Sequence, residues 1–196
     1  MARRNTPEIN AGSMADIAFL LLIFFLVTTT MDVDTGISRK LPEKQDPNIV
    51  PPVLKEKNVF EVNVNRNDEI LVEGDTYMKV SELRAAAIKF IDNGGGTAAD
   101  LQKADLSPCT WCGGDKDPAS SDHPKKAIIS LQSDRGTSYA MYISVQNELV
   151  GAYTDLRNIY ANKKFGKGFK DLSVAEQKII KKDIYPQIIS EAEPTK

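Results

Sequence analysis

Asp16 is the residue whose position raises a chemical question. It lies at the start of an apolar run, and residues 17–27 contain no polar side chain. An ionised aspartate at the middle of a bilayer costs about 2.5–3.5 kcal/mol, and its side chain is too short to reach water as lysine does. A carboxyl group in such a place favours its neutral, protonated form. Because a carboxyl group that is loaded from one side and unloaded to the other carries protons, we predict that Asp16 binds protons.

A simpler interpretation is that Asp16 only caps a helix at the membrane interface. Aspartate is a good N-cap residue, and the span would then start at Ile17. A helix from Ile17 to Thr30 would be about 21 Å long, whereas the hydrocarbon layer is about 30 Å thick. The length therefore favours a span that includes Asp16.

The second chemical motif is Cys109-x-x-Cys112, which contains the only two cysteines of the chain. In an oxidising compartment we expect them to form a local disulfide in a surface loop. A redox-active pair is an alternative, although the flanking proline and glycines argue against it. A metal site is another alternative, with His123 as third ligand and Asp115 or Asp122 as fourth. We predict the disulfide, and neither a bound metal nor a cofactor.

Composition sets the class of protein. The chain has 196 residues, of which 41% are hydrophobic and 27% charged, and its formal net charge is -2. These values are typical of one compact domain with additional segments. No basic cluster alternates with aromatic residues, so nucleic acid is not an expected partner.

The apolar run predicts a transmembrane helix over residues 13–31. From Met14 to Met31 a helix would extend about 27 Å, which is close to the thickness of the hydrocarbon layer. A signal peptide is less consistent with the sequence, because "VTTTMDVD" is a poor cleavage site. A buried core helix would keep a polar face, and this run has none.

The flanking charges predict the orientation of the span. Arg3 and Arg4 precede it, and Asp32 and Asp34 follow it. By the positive-inside rule, residues 1–12 are cytoplasmic and everything after the span is exported.

The exported part reads as a linker followed by an α+β domain. Residues 32–57 are rich in proline and charge, as in an extended linker, and residues 58–196 carry the periodic patterns of strands and helices. We predict a β-β-α-β-α-α-β order in two layers, with a loop insertion at 93–124. The predicted elements are a hairpin at 59–73, a helix at 81–91 capped by Ser81, a strand at 126–132, a helix from Ser138 to Tyr160, a helix opened by the capping box Ser173–Glu176 and ending before Pro186, and a strand at 187–192.

The stretch "INAGSMADIAFLLLIFFLV" resembles the signature of the ExbD/TolR family of biopolymer transport proteins. The shared features are Ile9-Asn10, a hydroxyl residue at Ser13, Asp16, and one long aliphatic span. "Leu41-Pro42" after the span resembles the short LP element of the family. The chain departs from the pattern in two ways: the usual proline near Ser13 is missing, and the exported domain is longer than usual.

The resemblance implies an assembly that composition does not show. Family members place two copies of the acidic helix inside a pentameric ring of a polytopic ExbB or TolQ partner, in the inner membrane of Gram-negative bacteria. Their periplasmic domains act on TonB or TolA. By position, Asp16 corresponds to the essential proton-binding residue. Candidates for pore-lining residues are Ser13, Thr28 and Thr29, and candidates for partner contacts are Leu41 and Pro42.

We therefore expect a subunit that transduces the proton-motive force, and not an enzyme. No histidine pairs with a nucleophile, and no phosphate-binding glycine loop follows a strand. TonB-dependent transport is the preferred branch because of its frequency in the family; the Tol branch and a motility or secretion motor are open. The alternative is a membrane-anchored periplasmic binding module in which Asp16 only caps a helix.

Overall fold

The computed structural model describes residues 11–28 and 54–192. The chain forms two compact units that divide after Val50. The first contains helix α1, Ala11–Thr28, whose 18 residues extend about 27 Å. Within the described ranges, α1 is the one helix that is long and apolar enough to cross a membrane. It begins two residues before the predicted span, and residues 29–31 lie outside the described part.

The second unit is built on a five-stranded mixed sheet with the order β3-β2-β1-β4-β5. β1 pairs with β2, and β2 with β3, in antiparallel fashion, whereas β1-β4 and β4-β5 are parallel. The strands are β1 Val59–Val64, β2 Ile70–Val72, β3 Thr76–Met78, β4 Ile128–Ser133 and β5 Ile189–Glu191.

Helices cover one face of this sheet. Phe60, Val62 and Val64 alternate along β1 and are all buried, as the period of two predicted. They pack in one core with Leu83 and Tyr153 of the two longer helices, which confirms the two-layer α+β architecture. The helices of this unit are α2 Val80–Ile91, α3 Ala98–Gln102, α4 Tyr139–Phe165 and α5 Val174–Ile179, the last continuing as a π-helical turn, Ile180–Ile184.

Strand β3 and helix α3 are additions to the predicted order. The β2-β3 turn uses Glu73 and Gly74, both with positive φ (52° and 84°), and only Gly74 adopts such a conformation without strain. β3 has three residues and no buried alternation, so its existence depends on pairing with β2.

Two predicted helix boundaries were wrong. Lys79, and not Ser81, is the N-cap of α2, because the Glu82 carboxylate accepts a hydrogen bond from the Lys79 backbone N–H at 3.2 Å. Helix α4 continues past Tyr160 to Phe165 and ends at Gly166, whose φ of 67° is the left-handed conformation typical of this position.

The C-terminal elements follow the prediction closely. Ser173 Oγ accepts from the Glu176 N–H while the Glu176 carboxylate accepts from the Ser173 N–H, so the capping box is confirmed. The helical turns end at Ile184, with Tyr185 as C-cap, before Pro186. β5 then adds to the sheet beside β4, within the predicted range.

Candidate functional site

Asp16 lies inside helix α1 and does not cap it. The helix begins at Ala11, so Asp16 is its sixth residue, and Asp16 is the only charged residue among the 18. The interpretation of Asp16 as an N-cap is therefore wrong: an N-cap residue lies outside the helical conformation and binds the first free N–H groups. The helix instead carries this carboxyl group within its own apolar length.

The neighbours of Asp16 on the helix surface follow from the helical repeat. Ser13 lies three residues before it and Leu20 four residues after it, so the three side chains share one face. From Asp16 to Thr28 the helix rises about 18 Å. On the helix face that carries Asp16, Ser13 thus supplies a hydroxyl group next to the carboxyl group.

At the end of α1, the Thr28 hydroxyl forms a hydrogen bond within its own helix. Thr28 Oγ1 donates to the carbonyl oxygen of Phe24 at 2.8 Å, so this hydroxyl needs no partner outside its own helix. Thr29, Leu41 and Pro42, the other residues proposed from the resemblance, lie outside the described residues.

The apolar side chains around Asp16 are uncovered within a single chain. Between Ile17 and Val27, the large ones are exposed by values from 41% at Ile23 to 71% at Leu26. A continuous apolar surface of this kind is covered by lipid or by other proteins. Asp16 borders this surface, one helical turn before Leu20.

The insertion at 93–124 is a folded cap on one end of the sheet and of α2. Its Cys109 and Cys112 sulfurs are bonded to each other in the structure. The side chain of Asn93 holds residues 117–121 of the insertion in place. Its Nδ2 donates to the carbonyl oxygens of Asp117 and Ser121, at 2.8 Å each, and its Oδ1 accepts from the Asp117 N–H at 2.9 Å. The insertion is thus fixed by polar contacts from the end of a core helix.

We expect Asn93→Ala to lower the free energy of unfolding of the 51–196 unit by about 2 kcal/mol. Three hydrogen bonds are lost, each worth about 0.5–1.5 kcal/mol, while the Ser121 and Asp117 carbonyls keep a backbone donor each, the Gly95 and Ser120 N–H groups. Urea unfolding followed by circular dichroism measures the difference. Asn67→Ala, at an exposed turn position, is the matched control and should change stability by less than about 0.5 kcal/mol. Equal effects of the two substitutions would contradict this role of Asn93.

Asp122 has protein partners for both of its oxygens. Lys57 Nζ lies 2.6 Å from Oδ1, and Asn58 Nδ2 donates to Oδ2 at 3.1 Å. Burial alone would raise the pKa of Asp122, but the hydrogen bonds from Lys57 and Asn58 outweigh it and hold the pKa below its usual value. The carboxylate thus joins the insertion to the segment that enters β1.

His123 is a neutral packing residue in the structure. Burial, followed by the charges of Lys125 and Lys126, lowers its pKa from 6.5 to about 4. Its Nδ1 accepts from the Lys125 N–H at 3.0 Å, and its ring meets Trp111 edge-on at 5.6 Å. Among the residues that the structure describes, no three His, Cys, Asp or Glu side chains converge as metal ligands would.

Sequence reasoning missed a polar chain that joins the C-terminal segment to the core. The buried Arg157 guanidinium donates to the Tyr185 carbonyl oxygen through Nε at 3.1 Å and Nη2 at 2.8 Å. The Tyr185 hydroxyl donates to Asp92 Oδ1 at 2.6 Å, and burial raises the pKa of Tyr185. The only signal in the sequence was one arginine among the apolar positions of α4.

Fold and site together define a class of protein. One apolar helix with an internal acid, and a separate small α+β unit, describe a single-pass membrane protein with one extramembrane domain. The family model for "Biopolymer transport protein ExbD/TolR" matches residues 2–158, and the chain belongs to this family. No curated protein matches the chain in sequence.

Family membership supports a role in biopolymer transport with membrane-protein partners. The family match ends at residue 158, inside α4. The part of the chain beyond the family match therefore contains the last two turns of α4, the turns that follow, α5 and β5.

Proposed function

We propose that this protein is the proton-motive-force transducing subunit of an ExbB–ExbD type motor that energises TonB-dependent outer-membrane transport. The observation that carries the proposal is the position of Asp16. It is the only charged group of an apolar helix, and it lies within that helix and not at its cap. The protein is not an enzyme by itself in this proposal, because its chemistry is the binding and release of a proton.

The energy available from the membrane potential and the cost of an ionised aspartate in the bilayer are of similar size. Moving one charge across a membrane potential releases about 2.3 kcal/mol per 100 mV, and an ionised aspartate in a bilayer costs about 2.5–3.5 kcal/mol. Protonation of Asp16 therefore changes the free energy of a helix arrangement by about the same amount as the membrane potential provides for each proton that crosses. A ligand with such a difference in affinity can shift the population of two packings, and here the ligand is the proton.

The proposed assembly follows the family resemblance. Two copies of α1 lie in the pore of a pentameric ExbB- or TolQ-like ring in the inner membrane, with Ser13, Thr28 and Thr29 facing the pore. The N-terminus is cytoplasmic, and the domain after the span is periplasmic. Leu41 and Pro42 contact a partner, and the domain transmits work to a TonB-like or TolA-like protein.

A second candidate function is a periplasmic interaction module that only needs an anchor. The observation that favours it is the set of elements beyond residue 158, which add surface that the family match does not cover. This candidate makes no use of Asp16.

Exchange of the span distinguishes the two functions. A chimera joins an unrelated single-pass helix of the same orientation to residues 29–196. The motor function predicts that energised uptake falls to the level of a deletion strain although the chimera is present in the membrane. Uptake at the rate of the native protein would sink the motor proposal and favour the anchored module. Co-purification then identifies the partners and their copy number.

A further inference from the structure

The largest excess of positive charge in the domain lies in the elements beyond the family match. Residues 163–183 contain seven lysines against the three acidic residues Asp171, Glu176 and Asp183, a net charge of +4 in a chain whose total is -2. All seven lysines are exposed. We call them the lysine surface: Lys163, Lys164, Lys167, Lys170, Lys178, Lys181 and Lys182.

The lysine surface keeps an excess of positive charge within the described residues. None of the seven ammonium groups has a carboxylate within ion-pair distance there; the contacts that exist are to neutral groups, such as Lys164 Nζ to the Tyr160 hydroxyl at 3.1 Å and Lys181 over the Phe169 ring at 5.7 Å. The Glu176 carboxylate is bound to Ser173 in the capping box, and the charge of Lys167 acts on it without forming an ion pair. The surface is therefore free to attract anions.

Apolar side chains project between these lysines. Val174 is 83% exposed, Ile179 55% and Phe165 37%. Val174 and Lys178 are one helical turn apart, so they share a face. Exposed apolar groups among cations are the pattern of a segment that rests in the interface of a bilayer with anionic lipids.

The lysine surface is held in shape by a core of its own. Ala161, Phe169, Leu172 and Ile180 are buried in a cluster separate from the main core. The backbone enters this cluster through the left-handed Gly166 and leaves it at Tyr185, which Arg157 binds. The charges are thus presented by a fixed structure.

We propose that residues 163–183 bind the anionic phospholipid headgroups of the membrane in which α1 is anchored. Charge complementarity supports lipid as the ligand, and the exposed Val174 and Ile179 suit an interface that also offers acyl chains. Only the 25 residues 29–53 separate α1 from the described domain, so the lysine surface belongs to a chain that is tethered to a bilayer. The proposal rests on membrane anchoring and not on the proton chemistry of Asp16.

Hydrogen–deuterium exchange of the full chain in nanodiscs tests the proposal. Discs of phosphatidylcholine alone are compared with discs containing 30% phosphatidylglycerol. Backbone amides in 163–183 should exchange at least about fivefold more slowly in the anionic discs, and 0.5 M NaCl should remove the difference. Each lysine near an anionic surface contributes about 1 kcal/mol, or about fivefold in binding. Lys178→Gln with Lys182→Gln should therefore weaken binding about 25-fold and abolish the protection.

The control removes the same charge elsewhere. Lys79→Gln with Lys103→Gln alters two exposed lysines outside the lysine surface and should leave the protection in 163–183 unchanged. Equal exchange in both kinds of disc overturns the proposal. Protection that arises only when poly-glutamate is added also overturns it, and indicates an acidic protein as the partner. Because exchange is read without energised transport, the outcome is independent of the motor function.

Discussion

Replacing Asp16 by asparagine is expected to abolish proton-driven uptake while leaving the protein in its complex. Asparagine has nearly the same size and polarity but cannot take up or release a proton in this pH range. We expect the helix to keep its conformation, because Asp16 is the only charged residue of α1 and its replacement breaks no ion pair within the helix. The uptake rate through an outer-membrane transporter should fall at least about tenfold, to that of the deletion strain, which is the loss expected when one group carries the coupling. Co-purification of the partner ring should be normal.

Two further variants make this result specific. Asp16→Glu keeps an ionisable carboxyl group one methylene further from the helix and should retain measurable uptake. Asp75→Asn removes an exposed carboxylate of the domain and should have no effect. The proton role of Asp16 is excluded if the asparagine variant supports uptake at the full rate.

Acidification is expected to destabilise the domain through His123. In the folded state its pKa is lowered to about 4, whereas an unfolded histidine has a pKa of about 6.5. Between these values the unfolded chain binds more protons than the folded chain, so stability rises with pH and is lost as pH falls from about 6.5 towards 4. Between pH 7 and pH 4.5 the contribution of this one residue to the free energy of unfolding should fall by about 2.5 kcal/mol.

Urea unfolding of the 51–196 unit at several pH values measures this loss. The comparison is with His123→Asn, whose side-chain oxygen can take the place of Nδ1 as acceptor from the Lys125 N–H. His123 is the only histidine of the chain, so the difference between the two pH profiles isolates it. The carboxylates with lowered pKa, such as Asp122, lose their contribution at lower pH and fall outside this window. Parallel pH profiles for the two proteins would contradict a buried, neutral His123.

The elements predicted correctly are those whose pattern is complete within a short segment. The alternation of "VFEVNV" and the capping box "SVAE" each contain their own evidence, and both are present in the structure. β3 has no such pattern, because its three residues form a strand only by pairing with β2. The cap of α2 at Lys79 was missed because it depends on a carboxylate three residues later and on no side chain of its own.

The candidate sites divide in the same way. Asp16 was found from sequence because a single acid in an apolar run stands out locally. The lysine surface was not found from the sequence, because the near-neutral total charge of the chain conceals it. In addition, a lysine can bind an external anion only if no carboxylate of the folded protein pairs with it. In the folded chain Asp183 lies 3.8 Å from Lys125 and the Glu176 carboxylate is bound to Ser173, so neither forms an ion pair with the lysine surface, although the charge of Lys167 acts on Glu176.

The sequence by itself determined the membrane helix, its acidic residue and the α+β class, because hydropathy and periodicity add up over neighbouring residues. Tertiary structure alone decided which polar groups meet. Asn58 binds Asp122 across 64 positions, and Arg157 binds the Tyr185 carbonyl across 28. Such contacts form only when the core brings distant segments together, and burial then makes each unpaired polar group costly enough to require its partner.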